Sequence, residues 1–293
     1  MRVLVTGGTG FIGAAVCHSL RAAGHAVTVV SRHPSPGPFD AIGWEDLAGV
    51  IGDCHGLVNL AGEPIAGRRW SAEQKARIRD SRVDTTRMLV DAVAASTARP
   101  QILVSASAVG YYGAHGDEPL DETAPAGDDF LAGVCQAWEA EARRAEPLGL
   151  RVVTLRLGIV LATQGGALAR MVTPFRAFLG GPLGDGRQWM SWIHRDDVTG
   201  LIVDILANPS YRGPVNATAP QPVTNHNFAA TLAATLARPA WLRTPAFALR
   251  LALGEMATML LTGQRVLPAI AGTLGYHWRY PELTRALHGS VRR

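Results

Sequence analysis

A strand that runs into glycines and turns at once into a helix constrains a chain strongly, and this chain opens with one: MRVLVTGGTGFIG. Val3, Leu4 and Val5 form a short apolar run of the kind that lies buried on both faces of a parallel sheet. Gly7, Gly8, Gly10 and Gly13 follow directly. The stretch to Gly24 reads as a tight turn and a helix, and HAVTVVSR as a second buried strand. Together they make a strand–helix–strand unit of about 30 residues, and its turn matches the dinucleotide-binding fingerprint. Gly7 permits the sharp turn. Gly10 removes a side chain where a pyrophosphate must approach the backbone, and Gly13 lets helix and strand pack closely. The start of the helix then presents free N–H groups and a partial positive charge to the phosphates. The candidate contacts here are Gly7, Thr9, Gly10, Phe11, Ile12 and Gly13. The competing reading is a glycine-rich turn that serves packing alone.

The end of the second strand separates the two nicotinamide dinucleotides. An NAD site carries an acidic residue there to bind the ribose 2′-hydroxyl. This chain has VVSRHP, which puts Ser31 and Arg32 at that point. An arginine repels no 2′-phosphate and can bind one bidentately, so the expected cofactor is NADP. The alternative is that Arg32 is simply a surface residue.

Alternation continues downstream. GLVNLAG reads as a buried strand, and SAEQKARIRDSRVDTTRMLVDAVAAS as a long helix with Ser71 a candidate N-cap. QILVSASAVGYYG is a strand and loop, FLAGVCQAWEAEARRAEPLG a helix, and LRVVTLRLGIVLA a further strand. Strands alternating with helices argue an α/β fold with a doubly wound parallel sheet. Near residue 165 the pattern gives way to loop-rich, proline-spaced segments. The apolar stretch AFALRLALGEMATMLLTG contains Arg250 and Glu255, so it reads as a buried or dimer-facing helix rather than a membrane span.

Composition narrows the function. The net charge is +4 with no long basic run, which argues against nucleic acid. Nine histidines show no metal-ligand spacing. Three cysteines, Cys17, Cys54 and Cys135, form no close pair, which favours a reducing compartment. The opening apolar run is short and broken by glycines, unlike a secretory signal, and a cytoplasmic location is expected. Lys75 is the only lysine.

VTGGTGFIG, NLAG, SASAVGYYG, LRLGIVL and SWIHRDDV occur in the order used by extended short-chain dehydrogenase/reductases. SRVDTT, WMSWIHRDDV, NATAPQPVTN and QRVLPA add a resemblance to that superfamily's atypical "epimerase family proteins" over almost the whole chain. The resemblance implies a Rossmann-type NADP-binding domain over residues 1–165, rejoined by a return segment near 193–217. It implies a smaller C-terminal substrate domain over residues 166–293. Members are described by analogy as nucleoside-diphosphate-sugar epimerases, and some relatives carry a cell-division label. The expected partner is a small hydroxylated or nucleotide-linked substrate. Superfamily members often dimerise through two helices, which leaves a homodimer open. An interaction protein, or a silent NADP-binding sensor, is the competing class.

The superfamily's chemistry uses a tyrosine as acid/base, a lysine one helical turn later and a serine at the end of the fifth strand. Ser107 matches the serine, with Ser105 before it on the strand. The helix that should carry the pair has Leu131 and Cys135 in one register, and Phe130 and Val134 in the next. Neither register supplies a tyrosine or a lysine. Tyr111 or Tyr112, in the loop after Ser107, becomes the replacement acid, with Tyr111 favoured, and Cys135 is the other candidate. The resemblance further places Asn59, Leu60, Ala61 and Gly62 beside the cofactor ribose, Ser105 among the cofactor contacts and Gly158 beneath the nicotinamide. His194 is open between packing and a substrate role. Asp196 and Asp197 suit a helix start, and Trp189 and Trp192 suit core or a pocket wall.

Overall fold

In the computed structural model, which describes residues 1–291, the amino-terminal turn sits in the middle of one parallel sheet. Its strands are β1 (Arg2–Thr6), β2 (Ala26–Val30), β3 (Asp40–Ile42), β4 (Gly56–Asn59), β5 (Ile102–Ala108), β6 (Arg151–Leu157) and β7 (Gly213–Ala217). They lie in the order β7-β6-β5-β4-β1-β2-β3, every neighbouring pair parallel. The longer helices are α1 (Gly13–Ala22), α2 (Ala72–Ala95), α3 (Phe130–Arg143), α4 (Gly166–Arg176), α5 (Arg195–Ala207), α6 (Asn225–Leu236) and α7 (Leu283–Val291). This is the doubly wound α/β, Rossmann-type architecture that the alternation implies. The strand order reverses between β1 and β4, so the connections leaving their carboxyl ends diverge and open a crevice there.

Side-chain alternation along the strands decides the two layers. Val3 and Val5 join a core with Val16, Cys17 and Leu20 of α1 and with Val198, Leu201, Ile202 and Ile205 of α5. Leu4, between them, faces the opposite layer, where Leu57 and Leu103 meet Leu89, Val90 and Val93 of α2 and Ala142 of α3. Each fully buried Leu or Val contributes about 1.5–3 kcal/mol, so both layers are firmly attached. Ser71 caps α2 as expected, its hydroxyl accepting the Gln74 N–H at 3.1 Å. A third core lies outside the sheet, where Leu168, Val172 and Phe175 of α4 pack with Trp192, Phe228, Leu232 and Leu287.

Three elements depart from the sequence reading. The segment expected as one strand over LRVVTLRLGIVLA breaks at Gly158. Beyond it, Ile159–Leu161 leaves the main sheet and pairs in parallel with Trp192–His194. The proline-rich connection after β2 ends in the edge strand β3, which its three residues were too short to announce. The apolar stretch after Pro245 is not one buried helix. It divides into Ala246–Leu253 and Thr258–Leu261, because Gly254 turns through φ +61° between them. Phe247 and Leu251 lie 73% and 79% exposed on the first piece. Among the described residues no helix is long and apolar enough to cross a membrane.

Candidate functional site

The glycine turn is built by contacts that admit no side chain. Gly7 takes φ +68°, and a Cβ there would fall 2.7 Å from the Leu60 carbonyl carbon and 2.9 Å from the Ala61 nitrogen. The turn after β1 therefore touches the loop after β4, at the point where the strand order reverses. A Cβ on Gly13 would lie 2.1 Å from the Gly7 oxygen, which fixes how closely α1 follows the strand. Gly10 closes the turn by donating to the Gly7 carbonyl at 3.0 Å. Thr9, Phe11 and Ile12 complete the loop, and α1 begins with neither a side-chain cap nor an acidic residue in its first turn. A bare helix start of this kind suits an anion. At the end of β2 the Ser31 hydroxyl accepts the His33 N–H at 3.2 Å. Arg32 is exposed beside it and is engaged by no other described side chain.

The loop after β4 divides its residues between two tasks. Leu60 and Ala61 carry the backbone that touches Gly7. Asn59, expected to face the ribose, is instead fully buried. Its Oδ1 accepts from the Thr6 hydroxyl at 2.6 Å, and its Nδ2 donates to Thr86 at 2.7 Å and to Ser105 at 3.2 Å. Asn59 and Ser105 thus tie β1, β4, β5 and α2 together beneath the crevice and act on its surface only indirectly. Gly62 lies over Arg82, where a Cβ would fall 3.1 Å from the guanidinium carbon. Arg82 donates to the carbonyls of Ile78 and Glu63, and burial lowers its proton affinity.

One helical turn beyond Cys135, a buried polar chain links α3 to β5 and β6. Ser107, expected to hold a substrate oxygen, is 1% exposed and donates to Glu139 Oε1 at 2.7 Å. Glu139 receives Arg156 Nε at 2.8 Å and Nη2 at 3.0 Å, a bidentate pair sealed inside the protein. Burial alone would weaken the Arg156 charge, but the bonds from Glu139 prevail and raise its pKa. Arg156 also donates to the Tyr112 hydroxyl at 3.0 Å, and Tyr112 donates to Asn216 at 2.7 Å. Burial pushes Tyr112 up to about 12, so it stays neutral. The Arg156 guanidinium carbon lies 3.4 Å from the centre of the Tyr111 ring, a cation–π stack that fixes a partly exposed tyrosine at the end of β5. Cys135 is buried, and burial together with Glu139 pushes its thiol up to about 12. It is a core thiol with little thiolate character.

Glu139 and Arg156 were missed as site residues by sequence reasoning. The available signal was Arg156 itself, a charge inside an apolar strand, which requires a buried partner.

Gly158 fits its carbonyl neighbour closely, since a Cβ there would lie 2.6 Å from Ser191 O. Its smallness serves the splice between Ile159–Leu161 and the return segment. His194 accepts the Asp196 N–H at 3.1 Å as the cap of α5, and its ring lies 3.9 Å from that of Tyr280. Asp197 is buried and takes the main-chain N–H groups of Arg279 and Tyr280 at 2.6 and 3.0 Å; burial raises its pKa. Trp192 is fully buried, and Trp189 donates to Asp117 at 2.8 Å.

A depression of about 490 Å³ lies at the heads of α2 and α3, lined by Trp70, Lys75, Arg79, Phe130 and Glu255. Lys75 there donates to Glu255 at 2.8 Å. Another, of about 550 Å³, opens at the amino ends of β6 and β7, across the sheet from the glycine turn. No cluster of three or more metal-ligating side chains occurs among the described residues.

Residues 3–217 match the model of the NAD dependent epimerase/dehydratase family, and residues 244–289 match a domain of unknown function. The chain is 45% identical to the chloroplastic epimerase family protein SDR39U1 homolog of Arabidopsis thaliana, covering 100% of this chain and 87% of that protein. The crystal structure of the human epimerase family protein SDR39U1 with NADPH superimposes with a TM-score of 0.93 at 39% identity, covering 100% of both chains. A nucleoside-diphosphate sugar epimerase from Corynebacterium glutamicum gives a TM-score of 0.82 at 34% identity, covering 99% of this chain and 58% of that one. With its glycine turn at the reversal point of a seven-stranded parallel sheet, the chain belongs to the NAD dependent epimerase/dehydratase family.

Proposed function

We propose that the protein binds NADP(H) in the crevice above β1 and β4 and uses it in redox or epimerase chemistry. The substrate would be a small hydroxylated or nucleotide-linked molecule. The observation that carries this reading is the glycine turn, whose side-chain-free contacts hold an uncapped helix start open to an anion. NADPH in the human relative supports it. Gly7, Thr9, Gly10, Phe11, Ile12 and Gly13 cradle the diphosphate, and Arg32 with Ser31 holds the 2′-phosphate. Leu60, Ala61 and Gly62 border the ribose, above Asn59 and Ser105, and Gly158 lies below the nicotinamide end. The bound cofactor supplies hydride transfer. Tyr111 gives or takes the proton at the substrate oxygen. Its ring is held by Arg156, which Glu139 links to Ser107, so Ser107 acts as a positioning residue in this scheme.

The test is a fluorescence titration with NADPH and NADH. Arg32→Ala is expected to weaken NADPH by tenfold or more, the worth of a charge-assisted phosphate contact, while NADH is unchanged. No NADPH binding to the natural protein at millimolar concentration overturns the reading.

A specific observation favours a second reading. Ser107 is closed off, and the helix lacks both tyrosine and lysine. A protein that binds NADPH tightly yet never oxidises it with any of a broad panel of carbonyl compounds is a sensor rather than an enzyme.

A further inference from the structure

Arg195 opens α5 and is half-buried, yet its guanidinium makes no hydrogen bond or ion pair with any described residue. Its Nε is enclosed without an acceptor. Other enclosed arginines are engaged: Arg156 by Glu139, Arg82 by two main-chain carbonyls, and Arg151 by the carbonyls of Tyr211 and Ile205. Arg265 also has an enclosed Nε without an acceptor, but its Nη1 donates to the Asp117 carbonyl at 3.3 Å. The carboxylate next along the chain, Asp196, is turned to His194 and Arg279 instead. A partly desolvated cation without a counter-charge is costly, and the cost falls when an anion arrives.

Its surroundings say which anion. The Arg195 guanidinium carbon lies 5.5 Å from the centre of the Phe11 ring. Phe11 belongs to the glycine turn, and its ring is wedged against Gly165 and Gly166, where added Cβ atoms would come within 2.8 and 2.7 Å. Phe11 therefore packs against that bend, and the guanidinium lies beside the turn. Helices α1 and α5 share one core layer, and the start of α1 next to Phe11 has no acidic residue to compete.

We infer that Arg195 is a diphosphate-binding residue: its charge closes the glycine cradle from the α5 side and neutralises the bridge between the two halves of the dinucleotide. The inference rests on the NADP(H) reading above. It gives the two arginines separate tasks. Arg32 reads the 2′-phosphate, which only NADP carries, whereas Arg195 reads the diphosphate, which NAD and NADP share.

That division is the test. The intact protein and its Arg195→Met and Arg195→Lys variants are titrated with NADPH, NADH and adenosine 2′-monophosphate, with thermal unfolding as the check on folding. Arg195→Met is expected to weaken NADPH and NADH equally, by about tenfold, while adenosine 2′-monophosphate binds as before. Arg195→Lys keeps the charge and is expected to stay within about threefold of the natural protein, which separates lost charge from lost packing. Unchanged affinity for both dinucleotides in Arg195→Met overturns the inference. So does a loss confined to NADPH, or an equal loss in Arg195→Lys and Arg195→Met. If the natural protein binds neither dinucleotide, the cofactor reading itself falls. If Arg32→Ala behaves as expected and Arg195→Met is silent, only the role of Arg195 falls.

Discussion

Arg156 bonds Glu139 through two nitrogens while both side chains are 3% exposed, and it also holds two tyrosines. Such a pair contributes little net stability against an apolar replacement, but breaking it strands a buried charge. Arg156→Met is therefore expected to destabilise the fold by about 3–5 kcal/mol. The readout is a lower urea midpoint with an unchanged slope. Glu139→Leu combined with Arg156→Met is expected to recover much of that loss, because neither charge then lacks a partner. A double variant no more stable than Arg156→Met would refute the account. The signal available for Arg156, a charge inside the apolar run LRVVTLRLGIV, did not lead to it. It did not reveal that Ser107 would be taken up by Glu139, 32 residues away. That contact depends on how α3 lies across β5, which no local pattern encodes.

At the level of elements, the first strand, turn and helix form the part of the site most legible in the chain, because their constraints are local. Glycines are required there by distances of a few residues. Gly13→Ala would press a methyl into the Gly7 carbonyl, and is expected to cost about 1–3 kcal/mol as an overpacked contact. It should also weaken NADPH. Gly24→Ala is the control, since Gly24 has φ +81° but nothing within 4 Å of an added Cβ. It should show only the backbone penalty of about 1–2 kcal/mol, with NADPH binding intact. Equal effects on binding from both changes would show that the fit against Gly7 is not what matters. Less legible was the stretch after Pro245, because its hydropathy suited either a buried or a dimer-facing helix. One glycine of left-handed conformation divides it and turns Phe247 and Leu251 outward.

Across the whole molecule, the doubly wound parallel class was readable early, from strand–helix alternation alone. The way the last third attaches was not, because it depends on single long-range ties. Asp197 secures Arg279 and Tyr280, Tyr276 donates to the Asp197 carbonyl at 2.8 Å, and Trp278 donates to Thr218 O at 2.9 Å. Asp197→Ala removes the acceptor of two part-buried N–H groups, at roughly 1–3 kcal/mol each. The expected outcome is a lower melting temperature and faster proteolysis near residues 276–280 than elsewhere. Uniform proteolysis would argue against Asp197 as the local fastening.

Gly158 joins the same theme from the other side. Its N–H bonds the Ala217 carbonyl and the next N–H bonds Ser191 O, so three separate stretches of backbone are sewn together within two residues. A seam of that kind ties the sheet to the layer beside it. Relative movement of those stretches would first have to break both hydrogen bonds.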